Sequence, residues 1–68
     1  MSVYKVIDII GTSTTSWEDA AVTAVKTAGS SVRDLRVAEV VQQDLDLGGD
    51  GEEVTFRVKL QISFKYEG

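Results

Sequence analysis

The segment Val54-Thr-Phe-Arg-Val-Lys-Leu-Gln-Ile-Ser-Phe-Lys-Tyr66 alternates apolar and polar residues without a slip. Val54, Phe56, Val58, Leu60, Ile62, Phe64 and Tyr66 share one face; Thr55, Arg57, Lys59, Gln61, Ser63 and Lys65 share the other. A period of two over this length predicts a half-buried antiparallel strand. At ~3.3 Å per residue it spans about 40 Å, longer than most strands. The chain around it has only 68 residues, so a single domain covering 1–68 must accommodate it.

Two more strands and a helix are legible. Residues 3–10, VYKVIDII, read as a first strand with apolar residues on both faces, a pattern typical of a strand covered on both sides. Gly11-Thr-Ser-Thr-Thr-Ser16 is expected to end it. Thr15-Ser-Trp-Glu18 fits a capping box, with Thr15 as N-cap and Glu18 reaching back. Glu18 and Asp19 also suit the positive end of a helix dipole. From there to Ala28 or Ser31, Trp17, Ala20, Ala21, Ala24 and Ala28 recur at helical spacing, and the small alanines let a helix lie close to a sheet. Residues 35–47 read as a second long strand, with Leu35, Val37, Val41, Leu45 and Leu47 on one parity and Ala38 and Val40 on the other. Gly48-Gly-Asp-Gly51 is a turn into the third strand.

The expected fold class is therefore α+β, a β-α-β-β protomer with a three-stranded antiparallel sheet packed on one helix. Placing the third strand between the first two makes every neighbour antiparallel. One helix cannot cover three strands of this length, and there is no cysteine to brace the fold. A closed symmetric oligomer supplies the missing cover.

Composition narrows the chemistry. With 7 basic and 11 acidic residues the net charge is −4, against a nucleic-acid surface. The chain has no histidine, which removes the commonest acid–base residue and metal ligand. Ser13 and Ser16 lack a base, and no glycine-rich phosphate loop is present, so no enzyme is expected. No apolar run approaches the length of a membrane span and no leader precedes the first strand, so the expected location is the cytoplasm, without a membrane partner.

Four stretches together resemble the dodecins: VYKVIDIIGTS at 3–13, SWEDA at 16–20, RVAEVV at 36–41 and RVKLQISFK at 57–65. The resemblance implies a hollow homododecamer that stores or sequesters a small ligand and is not an enzyme. In many dodecins that ligand is riboflavin or a related flavin such as FMN, stacked in pairs between tryptophans at subunit contacts. By resemblance, the stacking tryptophan falls at Val37 and the ring-binding glutamine at Arg57. Valine offers no π face, and aromatic stacking is worth about 0.5–1.5 kcal/mol beyond area burial. Arginine offers donors only, where glutamine offers a donor and an acceptor. Weakened flavin binding follows. The chain also resembles, through RVA and FRVKL, a tryptophan-less branch whose members look like calcium binders.

Calcium takes six to eight oxygen ligands. The acidic stretch Asp44-Leu-Asp-Leu-Gly-Gly-Asp-Gly-Glu-Glu53 fails as an EF-hand: counted from Asp44 the fifth position is Gly48 and the twelfth Thr55. Three single carboxylates are the candidate metal ligands: Asp8, Glu18 and Asp44. Asp8 interrupts an apolar face, where an unpaired carboxylate is costly to bury; its ordinary role is a salt bridge to Lys59 or Arg57, its functional one an ion ligand or intersubunit contact. Glu18 is ordinarily a capping residue and Asp44 a surface strand residue. Glu39, on the parity of Val37, is a further partner for Arg57 or Lys59. Three functions compete: a calcium-sequestering cage, a flavin store in which other contacts replace the tryptophans, and a shell without a specific ligand.

Overall fold

The computed structural model describes residues 1–66. Strand β1 (Tyr4–Ser13), helix α1 (Trp17–Gly29), strand β2 (Leu35–Asp46) and strand β3 (Thr55–Lys65) follow in that order. The sheet runs β1-β3-β2, with both pairs antiparallel. The β-α-β-β arrangement and the central third strand are as the alternation requires.

Because β3 has a neighbour on each side and the helix above, its apolar face supplies most of the core. Val58, Leu60 and Ile62 are buried to within 1% exposure, and Ala20 and Ala24 of α1 close over them. Burying one such side chain stabilises a fold by about 1.5–3 kcal/mol. Ile7, Ile9, Trp17, Val25 and Leu35 pack around this centre. The alanine stripe thus faces the sheet, and Lys26 and Thr27 face solvent, as their spacing implies.

Strand β1 does not stop at Gly11. It pairs with β3 through Ser13↔Phe56, with Gly11↔Val58 inside the ladder. Glycine stands there because the helix crosses directly above. A Cβ on Gly11 would overlap the Ala20 carbonyl oxygen and approach the Ala24 Cβ to 2.7 Å. The residue read as a strand-breaker is the point of closest helix–sheet approach.

The helix cap is Ser16, not Thr15. Ser16 has extended backbone (φ −167°, ψ 165°), and its hydroxyl accepts from the Asp19 N–H. Glu18 is thereby shifted out of the capping position and lies exposed. Asp19 holds the end in another way: its carboxylate accepts from the Ser13 hydroxyl at 2.6 Å. The same Ser13 oxygen accepts from the Thr15 N–H at 2.9 Å. This β-to-α corner is tied by hydroxyls, which offer donor and acceptor at once.

Strand β2 departs from simple alternation. Its register against β3 slips between Leu35 and Val37 and again between Val40 and Gln42, leaving Arg36 and Val41 as the extra residues of two bulges. The helix side of β2 is therefore Leu35, Ala38, Val40, Gln43 and Leu45, opposite Phe64, Ile62, Leu60, Val58 and Phe56. Val37 is on the other side with Glu39, Gln42 and Asp44. The parity read from the sequence holds only piecewise.

Helix α1 packs chiefly on β1 and β3 and leaves β2 largely uncovered. Val40 and Leu45 remain 46% and 43% exposed on the helix side, while Val6, Ile10 and Val37 are 56–63% exposed on the other. The protomer is a rod of 50 × 19 × 16 Å with apolar residues showing on both faces.

Gly11→Ala tests the close approach. We expect a loss of about 1–3 kcal/mol, the usual cost of overpacking, read as a lower denaturant midpoint at unchanged slope. A midpoint equal to that of the wild type would contradict the contact.

Candidate functional site

The polar side of the sheet carries the candidate residues. Across its three strands, Thr12, Arg57 and Asp44 form one row, Ile10, Lys59 and Gln42 the next, Asp8, Gln61 and Glu39 the third, and Val6, Ser63 and Val37 the fourth. Side chains directly opposite across a strand pair lie about 4.5–5.5 Å apart at Cβ.

Arg57 and Asp44 meet in the first row. The Arg57 Nε donates to Asp44 Oδ1 at 2.8 Å and Nη2 to Oδ2 at 3.1 Å, a two-pronged pair that uses both carboxylate oxygens. Hydrogen bonding from Arg57 outweighs the opposing desolvation and, with a smaller contribution from the Arg57 charge, holds the Asp44 carboxyl below its usual 3.8. The same bond, then the charges of Asp44 and Asp46, raise the guanidinium above its usual value. Asp44 is also bound through its backbone. The Trp17 indole N–H donates to the Asp44 carbonyl at 3.2 Å, and the Trp17 ring meets Phe56 edge-on at 5.1 Å. One residue of β2 thus anchors the start of α1 and the guanidinium of β3. Beside it, Ile10, Gln42, Asp44, Arg57 and Lys59 line a cleft of about 170 Å³.

Several expected pairings are corrected. Asp8 makes no salt bridge to Lys59 or Arg57; it stands opposite Gln61, one row from Lys59 and two from Arg57. Glu39 does not pair with Arg57 or Lys59 either: the bulge at Val41 brings it to their side of the sheet, but opposite Gln61, one row from Lys59. The third row therefore presents two carboxylates flanking one amide, all exposed. Glu18 lies at the helix start, exposed, with no ion pair among the described residues.

The structure does not gather Asp8, Glu18 and Asp44. Among the described residues no group of three or more acidic side chains is placed to hold a metal ion. Nor do Val37 and Arg57 meet: they pair with, or occupy, β3 positions six residues apart, about 20 Å along the strand. Val37 is 63% exposed, and its carbonyl accepts a long bond from the Ser63 hydroxyl at 3.4 Å. Any pocket that uses both positions must draw them from different copies of the chain.

Two contacts were missed by sequence reasoning. The Asp44–Arg57 pair could have been found by counting outward from the glycine turn, since the register between the turn and the first bulge is unbroken. The Trp17–Asp44 bond had only a general signal, an indole N–H that needs an acceptor when partly buried.

A dodecin family model matches residues 3–67. The calcium dodecin of Mycobacterium tuberculosis is 60% identical over 65 residues, covering 96% of this chain and 90% of that protein. The crystal structure of the calcium-chelating antigen calcium dodecin from that organism, described with a novel calcium-binding site, superposes with a TM-score of 0.86 at 57% identity, covering 97% of this chain and 93% of that one. The structure of dodecin from Streptomyces coelicolor gives a TM-score of 0.89 at 30% identity, with coverage of 98% and 94%.

The pair can be tested by pH. The Asp44 carboxyl is lower in the folded chain than unfolded, so the pair stabilises the fold above pH ~3.8 and that stabilisation is lost as pH falls through the folded value. In a carboxyl-detected NMR titration, Asp44 should titrate below 3.8 and move upward in Arg57→Gln. An unchanged Asp44 titration in that variant would sink the assignment.

Proposed function

The chain belongs to the dodecin family, and from that premise we propose that it is a non-enzymatic sequestration protein whose ligand is calcium rather than a flavin, working as a hollow homododecamer. The observation that carries the ligand is the 60% identity, over nearly the whole chain, to a protein named calcium dodecin. The assembly follows from the thin protomer: apolar side chains lie exposed on both faces of a rod whose buried core, among the described residues, is five side chains.

The geometry supports the choice of ligand. The position that stacks a flavin by resemblance is Val37, with no π face. The position that binds the ring edge is Arg57, whose Nε and one Nη2 proton are already committed to Asp44. What remains can donate to an anion but cannot accept from a flavin edge. Oxygen ligands, by contrast, are plentiful. Asp8, Gln61 and Glu39 form an exposed row, and Glu18 stands free at the helix start. Asp44 is the poorest of the candidates, because Arg57 occupies both its oxygens and opposes a second cation. Since the described residues of one chain gather no complete set, symmetry would assemble it from several copies, Asp8 being the first choice and Glu18 the second.

Calorimetry on the assembled protein should give a saturable calcium heat, with affinity reduced at least tenfold in Asp8→Asn or in Glu18→Gln. Wild-type protein should leave riboflavin fluorescence unquenched at micromolar concentration. Val37→Trp/Arg57→Gln should then gain flavin quenching of tenfold higher affinity, since about 1.4 kcal/mol is one decade. Strong quenching by the wild type would instead support a flavin store. No heat with calcium, magnesium or flavin would leave a shell without a specific ligand.

A further inference from the structure

The rod is electrically polar along its length. At one end lie the start of α1 and the β2–β3 hairpin, brought together by the Trp17–Phe56 and Trp17–Asp44 contacts. With Asp44 and Arg57 paired to each other, that end carries Glu18, Asp19, Asp46, Asp50, Glu52 and Glu53, none in an ion pair among the described residues. At the other end the ladders terminate in Tyr4↔Lys65 and Leu35↔Phe64. There Lys5, Arg33, Arg36 and Lys65 stand with one carboxylate, Asp34, among the described residues. Four of the seven lysines and arginines of the chain sit at this end.

Each end also has a matching apolar feature. At the cationic end a cleft of about 390 Å³ has Val32 and Phe64 as its apolar lining, and Arg33 and Lys65 with the single acid Asp34 as its charged lining. At the anionic end the turn between β2 and β3 carries Leu47 and Val54, 53% and 39% exposed, beside Asp46, Asp50, Glu52 and Glu53. An apolar centre with an acidic surround meets an apolar floor with a basic surround.

We infer that the β2–β3 turn, residues 47–54, of one copy docks in the cleft formed by residues 31–34 and 64–65 of a second copy. Leu47 and Val54 cover Val32 and Phe64, while the turn carboxylates face Arg33 and Lys65. The contact is heterologous, since two anionic ends repel and two cationic ends repel; a closed assembly such as the proposed dodecamer requires that its repeats close into rings. Opposite charge on the two ends steers the encounter, and salt screens it. The inference rests on the assembly part of the proposed function and specifies which surfaces meet.

The chain has no cysteine, so thiols can be introduced without background. In Ser31→Cys/Glu52→Cys the two thiols lie at opposite ends of a 50 Å rod and a short bis-maleimide cannot join them within one chain. It should give a ladder of covalent multimers on a denaturing gel, whereas Ser31→Cys alone and Glu52→Cys alone should give no dimer. Arg33→Glu/Lys65→Glu, monitored for folding by circular dichroism, should raise the dissociation constant for assembly at least tenfold at low salt by sedimentation. An assembled particle that yields no ladder, or whose mass and affinity are unchanged by the charge reversal, would overturn the docking and leave the assembly intact. A folded monomer at all concentrations would overturn both.

Discussion

The structure depends on how closely one helix can approach the sheet. At Gly11 the Ala20 carbonyl and Ala24 methyl occupy the space a side chain would need. That contact seats α1 low over β1 and β3, and it explains why Val58, Leu60 and Ile62 are so completely covered by residues as small as alanine. The same contact has a cost. A helix held over one side of a three-stranded sheet cannot also cover β2, so Val40 and Leu45 are left exposed on that side. Tight local packing and an incomplete interior therefore have one origin, and the second makes association of copies the natural completion of the fold.

Element order and the central place of β3 were legible because they follow from strict alternation and from the spacing of small residues in α1. The core was legible for the same reason: Val58, Leu60, Ile62, Ala20 and Ala24 all lie on faces the periodicity marks. Reading failed where a residue does something periodicity does not encode. Gly11 looked like an end and is a crossing point. Thr15 looked like a cap one residue early, because Ser16 with Asp19 offers the same chemistry in the adjacent frame. In β2, each of two bulges switches which parity faces the helix, so Ala38 and Val40 face it between the bulges while Leu35 and Leu45 face it outside them, and Glu39 comes opposite Gln61 rather than a cation.

The candidate site was less legible than the fold, and for a physical reason. Its residues lie on the solvent side of the sheet, where no burial pattern fixes them. Val37 and Arg57 could be located by resemblance, but their separation along β3 could not. The structure brings Arg57 to Asp44 instead, turning two candidate ligand residues into a mutually satisfied pair. Asp8 is left opposite an amide, in no ion pair among the described residues, and on the proposed calcium reading symmetry-related copies would have to complete the metal site.

The charge distribution gives this assembly a direction. The −4 total, taken as a whole, argues only for solubility. Distributed along the rod, it separates a turn rich in carboxylates from an end rich in lysine and arginine. Helix α1 reinforces the separation, because Glu18 and Asp19 lie at its positive pole and Lys26 at its negative one, which stabilises each charge where it stands. The arrangement that suits the helix within one chain is thus the one that makes its two ends complementary between chains. Apolar faces set the need for partners, and the placement of charge selects which surface each partner meets.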